Sequence, residues 1–221
     1  MKHMTHAAWK HRLTVWIRKL LVVGIPLLVA TSASGGGPSD RGVHFKEVSQ
    51  DVGINYRRVK SPRDAIYDQI KARGILQMSD LAYVPMHSHG VPGVAILDFD
   101  GDGDDDIFVT NGPNVAHSLY KNKLKETGRL EFEDVAIASG VAAVEQDGTG
   151  VCFGDTDNDG DEDLVVLGVN GNRFFVNNGD ATFLDATNAA GFGGTKFQSV
   201  GCSMGDVNGD GKADLIGFGY D

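Results

Sequence analysis

Asp98-Phe99-Asp100-Gly101-Asp102-Gly103-Asp104-Asp105-Asp106 is the stretch that decides the fold. It returns as Asp155-Thr156-Asp157-Asn158-Asp159-Gly160-Asp161-Glu162-Asp163, and again as Asp206-Val207-Asn208-Gly209-Asp210-Gly211-Lys212-Ala213-Asp214. Each copy reads D-x-[DN]-x-D-G-x-x-D, with oxygen-bearing side chains at loop positions 1, 3, 5 and 9. Hard oxygen donors at alternate positions, with a glycine for a sharp turn, suit the shell of about six to eight oxygens around Ca²⁺. The expected side-chain ligands are Asp98, Asp100, Asp102 and Asp106, then Asp155, Asp157, Asp159 and Asp163, then Asp206, Asn208, Asp210 and Asp214. At position 7, Asp104, Asp161 and Lys212 would give only a backbone carbonyl, which explains how a lysine is accommodated. About three Ca²⁺ ions are expected, one per loop.

An EF-hand requires a glutamate at position 12 between two helices. Here that position is Val109, Val166 or Gly217, in strand-like surroundings, so EF-hands are rejected. Metal-free turns are a poor reading too, because the carboxylates of one loop would repel at ~4–6 Å.

The loops start 57 and 51 residues apart, which marks a structural repeat. A second marker accompanies it. Phe45-Lys46-Glu47-Val48 with Gly53 recurs as Phe132-Glu133-Asp134-Val135 with Gly140, and as Phe183-Leu184-Asp185-Ala186 with Gly191, eight residues from Phe to Gly each time. In the first full unit, strands are predicted at Gly93–Leu97, Ile107–Thr110, Ser118–Asn122 and Leu130–Val135. The second unit repeats them at Gly150–Gly154, Leu164–Leu167, Arg173–Asn177 and Thr182–Ala186. The third opens at Ser199–Gly205, continues at Leu215–Phe218 and reaches Asp221 in mid-unit. Four short strands per ~50 residues make one propeller blade. The fold expected is all-β, a partial β-propeller preceded by a signal segment. Three units fall short of the ~4–8 blades of a closed ring, so the expectation is the N-terminal part of a longer product, whose further blades close the ring.

The chain of 221 residues has a formal charge of −10, but 15 of its 30 acidic residues lie inside the three loops. With no basic stripe, nucleic acid is not an expected partner. Residues 1–33 carry five basic residues and no acid, and Leu20–Ala30 is an apolar run before Thr31-Ser32-Ala33. That is a secretory signal pattern, and the run is shorter than the ~20 residues of a membrane span. An uncleaved anchor beginning at Leu13 is the alternative, and the only membrane link expected. Cleavage moves the charge from −10 to −15. Residues 34–42 read as a flexible tether. Residues 43–91 hold the Phe45 phrase and an insertion in which Ser61 and Pro62 signal a helix start. His87 and His89 could ligate a metal or line a pocket, but no third ligand is near, and a solvated loop is favoured. Cys152 and Cys202 both precede an acidic loop. Because their positions are out of step by one, buried thiols are favoured over a disulfide.

Gly93-Val94-Ala95 before the first loop, Phe153-Gly154 before the second, and Asn177-Asn178-Gly179-Asp180-Ala181-Thr182-Phe183 after it resemble FG-GAP/VCBS repeats. These are the calcium-loop blades of integrin α-chain propellers and of many exported bacterial proteins. The order of motifs most closely resembles the cartilage-acidic-protein (ASPIC/UnbV-associated) branch, over about residues 43–221. The resemblance implies a propeller with Ca²⁺ in the hairpin between the first two strands of each blade, and no activity by itself. The function expected is a secreted, periplasmic or cell-surface module for adhesion to, or recognition of, a protein or glycan. The alternatives are a polysaccharide-acting propeller enzyme with its site at the channel mouth, or a structural spacer.

Overall fold

A computed structural model describes residues 28–31, 44–59, 62–75, 77–79, 92–192 and 198–220. The chain forms two compact units, Met1–Asp51 and Val52–Asp221. In the first unit, β1 (Leu28–Thr31) pairs antiparallel with β2 (His44–Glu47), with Ala30 opposite Phe45. The Phe45 phrase is therefore a strand, and its partner comes from the stretch read above as the signal segment. Most of that segment and the whole of the tether lie outside the described residues, as do His87 and His89.

The second unit begins with an extended segment and α1 (Pro62–Arg73), which has proline at its first position and Gly74 after its end at φ 70°. Proline lacks only an amide that the first turn leaves unpaired, and glycine accepts the left-handed conformation that stops a helix. The predicted helix is thus present. Two four-stranded antiparallel sheets follow, each in sequence order. The first comprises β3 (Val94–Leu97), β4 (Asp106–Val109), β5 (Ser118–Asn122) and β6 (Phe132–Asp134). The second comprises β7 (Gly148–Gly154), β8 (Asp163–Gly168), β9 (Arg173–Asn177) and β10 (Phe183–Asp185). A short helix, α2 (Leu124–Thr127), sits between β5 and β6. β11 (Gln198–Gly205) and β12 (Asp214–Tyr220) form a third, two-stranded sheet.

β4 and β8 are buried at every residue, as expected of second strands packed on both faces with unbroken apolar runs. Their core lies between the two complete sheets and includes Leu97, Phe99, Phe108, Leu119, Leu164 and Phe175. The ring of Phe99 stacks on Phe183 with centroids 6.2 Å apart. The third hairpin is different: Ile216 and Phe218 are exposed.

Within the second unit, the glycine end of each Phe–Gly phrase proves to be a joint to the repeat that follows. The Phe132 amide donates to the Val52 carbonyl at 2.8 Å, and the Phe183 amide donates to the Ser139 carbonyl at 2.9 Å. The next residue is glycine in both cases. A Cβ on Gly53 would lie 2.6 Å from the Phe132 carbonyl oxygen, and one on Gly140 would lie 2.9 Å from that of Phe183. Their φ values of 90° and 83° also favour glycine. The eight-residue spacing therefore lets the end of one unit latch onto the outer strand of the next.

The expectation of free thiols is overturned. Cys152 and Cys202 form a disulfide, with Cα atoms 6.0 Å apart. In a fan of sheets, the face that one sheet turns toward its successor meets the opposite face of that successor. A one-residue step flips the face. The offset that argued against a bridge is thus what brings the two sulfurs together. The same offset recurs one pair along, where a Cβ on Gly154 would lie 3.3 Å from the Met204 sulfur.

Candidate metal centre

Each acidic loop joins the first and second strands of its sheet, and one internal hydrogen-bond frame recurs in all three. The carboxylate at position 1 accepts from the position 6 glycine amide: Gly103 to Asp98 at 2.8 Å, Gly160 to Asp155 at 3.1 Å, Gly211 to Asp206 at 2.9 Å. Position 5 accepts from the amide of position 7: Asp104 to Asp102, Asp161 to Asp159, Lys212 to Asp210, at 2.9–3.0 Å. Position 9 accepts from the amide of position 2: Phe99 to Asp106, Thr156 to Asp163, Val207 to Asp214, at 3.0–3.1 Å. The repeated residues thus fold the turn themselves.

The ninth residue has a role that spacing alone did not reveal. Asp106 and Asp163 are each 1% exposed. Their second oxygens accept from the amides of Asn122 at 2.7 Å and Asn177 at 2.8 Å, on the third strand of each sheet. Burial, opposed by the Asn122 and Phe99 amides, pushes Asp106 up to about 7, and Asp100 and Asp102 add like-charge repulsion.

In the first loop, carboxylate oxygens of Asp98, Asp100 and Asp106 lie within 4.8 Å of one another, and a second group combines Asp102, Asp104 and Glu126. Glu126, from α2, was not anticipated; a glutamate two residues into a short helix carries no signal that it will fold back onto a loop twenty residues upstream. Asp104 is buried and accepts the Lys125 amide at 2.6 Å. In the second loop, Asp155, Asp157 and Asp159 converge. Burial first, and then the Asp159 charge, raises Asp157 above the ordinary carboxylate value. In the third loop, no such group of three acids converges among the described residues. There the amides of Gly211, Gly209 and Asp210 hold the Asp206 carboxyl below its usual value.

The donor set fits a hard cation. Asp98 Oδ1 and Asp100 Oδ1 are buried without a hydrogen-bond partner among the described residues. Orphaned carboxylate oxygens are costly, and an oxygen-loving ion is what would satisfy them. One cation is already at hand: Lys121 Nζ contacts Asp100 Oδ2 and lies 3.0 Å from Glu126 and 3.6 Å from Asp102. Burial alone would lower the lysine pKa, but Asp100 and Glu126 raise it above the ordinary value. The loops also touch one another. Asn177 Nδ2 donates to the Phe99 carbonyl at 2.8 Å, and Asn158 Nδ2 donates to the Gly211 carbonyl at 2.9 Å. Burial raises the pKa of Glu162, with the charges of Asp98 and Asp105 adding to it.

A buried polar network occupies the opposite end of the sheets. His117 is fully buried; its Nδ1 accepts the Asn111 amide at 2.9 Å and its Nε2 meets Gln146 Oε1 at 3.1 Å. Gln146 in turn donates to the carbonyls of Val166 and Gly171. Burial lowers His117 to about 4. Arg58 pairs with Asp147 at 3.0 Å, and Tyr56 donates to the Thr110 carbonyl at 2.8 Å, fastening residues 56–59 across this end.

Comparison with known proteins agrees with this architecture. Cartilage acidic protein 1 of Homo sapiens is 31% identical over 131 residues, covering 56% of this chain and 20% of that protein. Cartilage acidic protein 1 of Xenopus tropicalis is 30% identical over 132 residues, with the same coverage. The chain therefore spans about one fifth of the length of the curated relatives it matches. The model of the FG-GAP-like repeat matches residues 98–166 and 155–217, each match running from one acidic loop through the next loop. With more than half of its length so matched and its sheets built as blades, the chain belongs to the FG-GAP-like repeat family.

Proposed function

We propose that the chain is an exported, calcium-stabilised propeller segment that acts without catalysis, presenting its blades for adhesion to, or recognition of, a protein or glycan. The observation that carries the calcium reading is that Asp98 and Asp100, whose carboxylates group with that of Asp106, each keep a buried oxygen unpartnered among the described residues. An ion there would satisfy both oxygens and cancel repulsion, so its binding free energy would become folding free energy. The disulfide suits an oxidising compartment, in keeping with a secreted or cell-surface location. The likeness to cartilage acidic protein 1 favours recognition over turnover.

Thermal melting in calcium and in chelator tests the first part. A marked drop in Tm is expected in chelator, and Asp157→Ala should abolish more of the calcium shift than Asp161→Ala, since Asp157 joins the convergent group. Identical melting with and without calcium would refute it. Binding to arrays of extracellular proteins and glycans, with calcium and with EDTA, tests the second. Calcium-dependent binding is expected, and cleavage of a bound polysaccharide would replace recognition with catalysis.

A further inference from the structure

Lys121 stands on β5 beside Asn122, the residue whose amide closes the first loop through Asp106. The pairing of Ile107 with Tyr120, and of Leu164 with Phe175, places Val176 at the matching position of the second sheet. We propose that Lys121 is a tethered cation that shares the carboxylates of the first loop and sets its calcium affinity below that of the second. This inference rests on the calcium reading above.

The Asp100 side chain is 4% exposed, so its charge is removed from water. One of its oxygens faces Lys121 Nζ and the other has no hydrogen-bond partner among the described residues, while the carboxylate as a whole groups with those of Asp98 and Asp106. An ammonium on one oxygen and a divalent ion on the other repel across a single carboxylate, in surroundings that screen poorly. The ion must either displace Lys121 or coexist with it, and both weaken binding. Lys125 adds to the effect, its Nζ donating to the Asp102 carbonyl at 3.1 Å. No described ion pair reaches the second loop, where Val176 carries no charge. The second loop therefore fills first as calcium rises, while the first loop is partly neutralised by its own lysine at low calcium.

Calorimetric calcium titration of the full chain decides this. In an Asp157→Ala background, which disables the second loop, Lys121→Met is expected to tighten binding at the first by roughly tenfold. The same substitution should lower the Tm in EDTA. In an Asp100→Ala background, Val176→Lys should weaken the second loop by a similar factor, and it decides the matter if Lys121→Met does not fold. Calcium binding that neither substitution changes overturns the inference and leaves the calcium reading intact. No calcium binding by the wild-type chain overturns both.

Discussion

The two complete sheets share a frame and differ at matched positions. Asp106 and Asp163, Asn122 and Asn177, and Phe132 and Phe183 do the same work in both. His117 of the first sheet is matched by Asn172 of the second: the histidine accepts the Asn111 amide, and Asn172 Oδ1 accepts the equivalent Gly168 amide at 3.4 Å. Each then reaches toward the following unit, His117 to Gln146 and Asn172 Nδ2 to Ser199 Oγ at 2.9 Å. Lys121 is matched by Val176, and α2 by the tight Asn178-Gly179 turn. The difference teaches that the shared residues build the hairpins, whereas the unshared ones decide which groups carry charge and which titrate.

The largest effect should come from the bridge that ties the third hairpin to the second sheet. Replacing Cys152 and Cys202 together by alanine opens a loop of 50 residues, and urea unfolding should show a loss of about 4 kcal/mol. An unchanged unfolding midpoint would mean that inter-sheet packing alone holds the hairpin. Next, Asp106→Ala strands two buried amides and should cost about 3 kcal/mol. Asp214→Ala, in the exposed third loop, should cost under about 1 kcal/mol. Equal losses would show that burial by a third strand contributes nothing.

The histidine–asparagine pair predicts a difference in acid sensitivity. His117 is held near 4, below its ordinary 6.5, so the unfolded chain binds the extra proton between those values. Its contribution is complete above about pH 6.5 and falls as pH drops toward 4, reaching about 2 kcal/mol lost at pH 5. His117→Asn, which installs the residue of the second sheet, should flatten the stability–pH curve in that window. A curve that keeps its slope assigns the acid sensitivity to other groups. The smallest contrast is between two glycines. Gly140→Ala meets both a positive φ and the Phe183 carbonyl, whereas Gly191, at φ 79°, has nothing among the described residues within 4 Å of its Cβ position. The first should cost about 1 kcal/mol more than the second in chemical unfolding.

Much of the fold was legible because its signals are local and repeated. The third strands were read at their observed bounds, Ser118–Asn122 and Arg173–Asn177, and the other blade strands to within about two residues at either end. The helix at Pro62 announced itself through its first residue. The acidic loops were read correctly as hairpins between first and second strands. What escaped depends on which face meets which. The disulfide was misjudged because strands were aligned by position rather than by the faces that confront each other. Lys121 and Glu126 were missed because their approach to the first loop is set by sheet pairing and by a helix that the second sheet lacks. The His117–Gln146 pair spans 29 residues with no motif to join them.

The latch between units has a consequence for how such chains grow. This latch joins the tail of one repeat to the outer strand of its neighbour. Copying a segment from one Phe phrase to the next therefore duplicates socket and plug together, and every new junction inherits a working fit. Interactions restricted to nearest neighbours make stability accumulate unit by unit. Blade number can then drift through gene duplication without any residue having to change in the units already present.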